Sequence, residues 1–77
     1  MKTQVEESEL VARAVAYLKR QYGEDTVSMK VTRNTVVDGR GVLEVECTVS
    51  LDGQHSDWSK WFTFSAGEVA SMRWEMH

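Results

Sequence analysis

Asp52-Gly53 separates two runs in which apolar and polar residues alternate, and this arrangement restricts the chain more than any other feature. An Asp-Gly pair accepts positive φ at both central positions of a two-residue hairpin turn. A turn of that length sets the register: Leu51 opposite Gln54, Cys47 opposite Trp58, Leu43 opposite Phe62. Leu43, Val45, Cys47, Val49 and Leu51 then share one face with Trp58, Phe62 and Phe64, while Glu44, Glu46, Thr48 and Ser50 share the other. Turn length and alternation agree, which predicts a hairpin over 42–51 and 54–65. Large aromatic side chains bury the most area, so the core is expected to form around residues 56–65. Two residues of that stretch fall oddly. Lys60 lands on the core face opposite Val45. Either a bulge at Ser59-Lys60 turns it out, or its stem lies along Trp58 and Trp74 with the ammonium reaching water. Trp61 lands on the outer face.

Residues 3–22 read as a helix. Val11, Ala14, Val15, Leu18 and Tyr22 form one apolar stripe at spacings of three and four, widened by Leu10 and Tyr17. Thr3-Gln4-Val5-Glu6 has the capping-box pattern, with Ser8 as a later alternative start. Glu6, Glu7 and Glu9 suit the positive end of the helix dipole, and Lys19 and Arg20 the negative end. Gly23 is the expected C-terminal stop.

A first strand is predicted over 26–37, with Val27, Met29, Val31 and Val37 inward and Thr26, Ser28, Lys30, Thr32 and Asn34 outward. Asp38-Gly39-Arg40-Gly41 is a turn. After Ser65-Ala66-Gly67 a last strand is predicted over 69–76, with Ala70, Met72, Trp74 and Met76 inward and Val69, Ser71, Arg73 and Glu75 outward. The expected fold class is α+β: a single domain over 1–77, with one N-terminal helix packed on one face of a four-stranded antiparallel meander. A more strongly curled sheet around the helix resembles cystatin-like folds in architecture alone. Nothing in the chain matches a cystatin inhibitory site, so that resemblance carries no function.

Bulk properties exclude several function classes. Nine basic residues against twelve acidic ones give a net charge of −3, and only Lys19-Arg20 are adjacent. That is a poor footprint for nucleic acid, which rewards clustered Lys and Arg. No apolar run is long enough to cross a bilayer, so neither a membrane nor a nucleic-acid partner is expected. The single cysteine, Cys47, cannot form an internal disulfide and reads as a small buried hydrophobe. A small domain without disulfides suits a reducing compartment, which predicts a soluble, cytoplasmic protein.

No motif names a reaction. No Cys/His set has zinc spacing, no acidic loop has calcium spacing, and no Gly-rich loop opens a helix, so no metal or cofactor is expected. Ser50, His55 and Asp57 share one strand face and form a weak hydrolase-like trio, common in solvated hairpin ends. If the other two loops each hold three residues, a row Val36, Val42, Thr63, Val69 crosses the outer face, and the next row is Asn34, Glu44, Trp61, Ser71. Trp61 beside an apolar strip, rimmed by Glu44 and Arg73, has the make-up of an interface centre. The expected role is therefore a small interaction module that binds itself or another protein through Val36, Val42, Glu44, Trp61, Thr63, Val69 and Arg73. A homodimer is the simplest form, with edge pairing by the first or last strand as a second route. A small apolar ligand near Met29, Met72, Met76 and Tyr22 is the alternative, disfavoured because so short a chain needs that volume for its core.

Overall fold

The alternation and turn chemistry give the expected order of elements. A computed structural model describes residues 6–77: helix α1 (Glu7–Tyr22), then strands β1 (Asp25–Asn34), β2 (Gly41–Leu51), β3 (Gln54–Ser65) and β4 (Glu68–Met76). The strands form one antiparallel sheet in the order β1-β2-β3-β4, a meander with α1 across one face. Leu10, Ala14 and Leu18 are the buried centre of the helix stripe, with Val11 and Tyr17 beside them. They meet Leu43, Val45, Cys47, Val49, Phe62 and Phe64 in one core. No helix among the described residues is long and apolar enough to cross a membrane.

The helix ends differ from expectation at one side only. Glu6 is the N-cap and makes no side-chain capping bond, so Ser8 lies inside the first turn; Thr3-Gln4-Val5 falls outside the described residues. At the other end Gly23 takes φ 71, and the N–H groups of Gly23 and Glu24 donate to the carbonyls of Lys19 and Leu18. With Gly23 in the left-handed region, its N–H bond back to the Lys19 carbonyl is the αL closure. It turns Glu24 back over the sheet.

The β2–β3 register is the predicted one throughout. Asp52 and Gly53 both have positive φ, as a type I′ turn requires. The other two turns are of the same kind. Asp38-Gly39 and Ala66-Gly67 also have positive φ at both positions, and Val37 pairs with Arg40 and Ser65 with Glu68. Each loop therefore holds two residues, not three. A one-residue change of loop length reverses which side chains face the core. Val36 and Val69 accordingly lie on the helix side and pack against the core, while Val37 is exposed.

Three bulges shift the edge strands. Val27, Thr32 and Ala70 are each an extra residue in an edge strand. The bulge at Val27 exposes that side chain and places Thr26 opposite Val49 on the core face. The bulge at Thr32 places Asn34 opposite Leu43, where its Nδ2 donates to Glu7 Oε1 at 3.1 Å and ties the sheet to the helix. The bulge at Ala70 leaves Ala70 exposed and restores Met72, Trp74 and Met76 to the helix side.

Candidate functional site

The outer face is less apolar than the sequence suggests. Its rows read Thr35, Val42, Thr63, Ser71, then Arg33, Glu44, Trp61, Arg73, then Lys30, Glu46, Ser59, Glu75. Of the seven interface candidates, Val42, Glu44, Trp61, Thr63 and Arg73 do share this face; Val36 and Val69 do not. The apolar strip expected beside Trp61 is reduced to Val42. Trp61 is partly buried, and the Arg73 guanidinium carbon lies 4.8 Å from its ring centroid. That contact covers the ring from within its own sheet.

The Ser50, His55, Asp57 trio is also reshaped. Ser50 pairs with His55 across the hairpin as expected. The Asp57 carboxylate, however, accepts a hydrogen bond from Thr48 Oγ1 at 2.6 Å, so its partner is a threonine and not the imidazole.

The unexpected surface lies on the helix side. A 16-residue helix is about 24 Å long, whereas strands of 11 and 12 residues run about 36–40 Å. The helix starts near Asn34 and ends over Trp74, so the far part of the core face extends beyond it. There Tyr22 is 44% exposed, Trp74 53% and Met76 61%. A line of edge-to-face aromatic contacts leads out to them from the core: Phe62 to Tyr17 at 6.3 Å, Tyr17 to Tyr22 at 6.3 Å, Tyr22 to Trp74 at 6.4 Å. Sequence alternation correctly assigned Trp74 and Met76 to the helix side. The comparison of helix length with strand length is the signal that shows the helix cannot cover them.

At the boundary between covered and uncovered sheet sits Lys60. No bulge turns it outward, and its ammonium does not reach water. It is buried and donates to Glu24 Oε1 at 3.0 Å, with side-chain exposures of 2% and 12%. Its Nζ stands 4.8 Å from the Trp58 ring centroid. Glu24 reaches it because the αL closure at Gly23 points the chain that way. Tyr22, Glu24, Trp58, Lys60, Met72 and Trp74 line a pocket of about 150 Å³. This is below the ~300 Å³ of ordinary ligand sites and matches a single benzene-sized group. Met29 and Met76, expected beside an apolar ligand, do not line it. The space between helix and sheet is filled by Leu10, Ala14, Leu18 and Phe62.

The two sheet edges are unequal. β1 is interrupted at Val27 and again at Thr32, which breaks its outward hydrogen-bonding row. β4 is interrupted once, at Ala70, and runs regularly from Ser71 to Met76. His77 N–H donates to Asp57 O at 3.0 Å and extends the β3 ladder past the strand end. The outer edge of β4 is unpaired among the described residues. No known protein family, curated protein or solved structure matches the chain.

Proposed function

We propose that the chain is a protein-binding module that engages its partner through β4, using the free backbone edge together with Trp74, Met76 and Tyr22. The observation that carries this reading is the coincidence of two binding features on one segment. Trp74 and Met76 are more than half exposed, and they stand on the longest regular stretch of free edge. Edge pairing supplies backbone hydrogen bonds, and aromatic anchors supply apolar burial. The outer face around Trp61 is less suited, because Arg73 already covers the ring. A buried, unpaired Cys47 fits a protein that works in a reducing compartment such as the cytoplasm.

Affinity capture from the native cell tests the reading with three baits: wild type, Trp74→Lys/Met76→Lys, and Trp61→Ala, each checked for folding by circular dichroism. The expected result is a polypeptide held by wild type and Trp61→Ala and lost from the β4 variant. Loss from Trp61→Ala alone moves the contact to the outer face and refutes the β4 reading. Equal capture by all three, or no capture combined with no self-association, also refutes it.

A further inference from the structure

We infer that the partner is a second copy of the same chain, joined β4 to β4 about a twofold axis through Trp74; this rests on the binding-module reading above. The backbone groups of β4 divide into those bonded to β3 and those left free. His77 N–H is bonded to Asp57, so in an antiparallel ladder the pairs Ser59–Glu75, Trp61–Arg73 and Thr63–Ser71 are the hydrogen-bonded ones. Met72, Trp74 and Met76 then direct their N–H and C=O groups away from β3, toward the free edge. A second β4 can pair there only if it offers the same outward-facing residues. Allowed registers therefore differ by steps of two residues.

The sequence from Ser71 to His77 selects one of them. It reads Ser-Met-Arg-Trp-Glu-Met-His, symmetric in kind about Trp74. With Trp74 opposite Trp74, each Met72 faces the partner's Met76 on the helix side. On the outer side each Arg73 faces the partner's Glu75, so opposite charges meet twice. One step in either direction places Arg73 opposite Arg73 or Glu75 opposite Glu75, and like charges directly opposite are destabilising. The pairing is thus charge-complementary in one register and charge-opposed in both neighbours.

The same register uses the exposed apolar surface. A twofold axis normal to the sheet keeps both helices on one side and brings the two uncovered regions together. Trp74 stacks beside its symmetry mate. Met76 reaches Met72 of the other protomer at the rim of the pocket lined by Tyr22, Trp58 and Lys60. Two backbone hydrogen bonds form at each Met72–Met76 pair and at the Trp74 pair. The result is a closed eight-stranded sheet whose remaining edges are the two bulged β1 strands, which resist further addition. A contact of this extent lies at the small end of specific interfaces, so dissociation in the micromolar range is expected.

Sedimentation equilibrium across the micromolar range, with hydrogen exchange at matched concentrations, tests this. Wild type should dimerise. The amides of Met72, Trp74 and Met76 should become protected as concentration rises, while those of Arg73 and Glu75, already bonded to β3, should not change. Arg73→Glu and Glu75→Arg should each weaken the dimer about tenfold or more. Arg73→Glu/Glu75→Arg should restore it to near wild-type strength, because the swapped charges again meet. A monomeric wild type at high micromolar concentration, protection independent of concentration, or a double variant no better than the singles overturns the inference. A monomer that still captures a different polypeptide through Trp74 overturns self-pairing and leaves the binding-module reading standing. A monomer that captures nothing overturns both.

Discussion

Removing the Glu24 carboxylate should come close to unfolding the protein, while removing its partner should not. The Lys60 ammonium is 3.0 Å from Glu24 Oε1, and its side chain is 2% exposed. At an effective dielectric of about 20 the attraction over that distance is about 5–6 kcal/mol. Taking the two ions out of water costs several kcal/mol each, so the intact pair is close to neutral against an apolar pair of the same size. Breaking it is different. Lys60 is held in the middle of β3 against Trp58, with 2% of its side chain exposed. Glu24→Ala leaves that cation uncompensated, at about 3–5 kcal/mol. A chain of 77 residues has a total stability of roughly 4–12 kcal/mol. With an unfolding entropy of about 2.1 cal/mol/K per residue, a loss of 3 kcal/mol lowers the melting temperature by about 20 °C.

Lys60→Met behaves oppositely. It fills the same volume with an apolar side chain, and Glu24, at the helix end, can swing into solvent. Its cost should stay within about 1 kcal/mol, and Lys60→Met/Glu24→Ala should match it. Urea unfolding followed by tryptophan fluorescence measures all four proteins by linear extrapolation. If Glu24→Ala loses less than about 1 kcal/mol, Lys60 is not trapped and the burial reasoning fails. If Lys60→Met loses as much as Glu24→Ala, the pair stabilises as a unit and the desolvation balance is wrong.

Other perturbations have equally definite outcomes. Gly39 has φ 77, and a Cβ there would stand 2.7 Å from the backbone N of Gly67, so Gly39→Ala should cost at least about 2 kcal/mol in thermal melts. Gly53, with the same sign of φ but open space around it, should lose only the left-handed strain of about 1–2 kcal/mol as Gly53→Ala. Thr26 Oγ1 is buried without a hydrogen-bond partner, and Thr26→Val should raise stability by about 1 kcal/mol in urea unfolding. Burial pushes the Cys47 thiol above its ordinary range, so its contribution is full below about pH 8.5 and is lost as pH rises from there toward the folded value. Cys47→Ala should flatten the fall in stability above about pH 8.5, and iodoacetamide should label the native thiol far more slowly than the unfolded one.

How far the sequence carries can be followed residue by residue. Asp52-Gly53 declares a two-residue turn, and the pairings keyed to it are right: Cys47 opposite Trp58, Leu43 opposite Phe62, Lys60 inward and Trp61 outward; Leu51, expected in the core, is 47% exposed beside the turn. Asp38-Gly39 carries the same chemistry, but the glycine at 41 makes a longer loop equally plausible from composition. Ala66-Gly67 lacks the Asp or Asn that favours positive φ at its first position. Misreading each by one residue reverses Val36 and Val69, the two ends of the apolar strip on which an outer-face interface depended. The bulges are not legible at all. Val27, Thr32 and Ala70 are unremarkable residues for an extended chain, and an extra one leaves no local mark. The Lys60 anomaly was visible in the alternation, but its solution was not. Glu24 lies 36 positions away and is aimed by a helix closure, so only the packed structure brings it there.

These misreadings share one consequence, which bears on where the contact surface lies. A three-residue reading of both loops moves apolar side chains to the outer face and makes Trp61 the centre of a patch. The two-residue turns return Val36 and Val69 to the core, and the patch dissolves into a polar face with one covered indole. The apolar surface left over must then be sought where the helix ends. A 16-residue helix cannot cover strands of 11 and 12 residues, and nothing else among the described residues covers the remainder. Apart from Leu51 at the hairpin turn, the exposed remainder falls beside β4, where Tyr22, Trp74 and Met76 meet a regular free edge. On β1, the other edge, bulges break the row. The bulges and the short helix thus act together: one edge is broken twice, and the other is left regular with Trp74 exposed beside it.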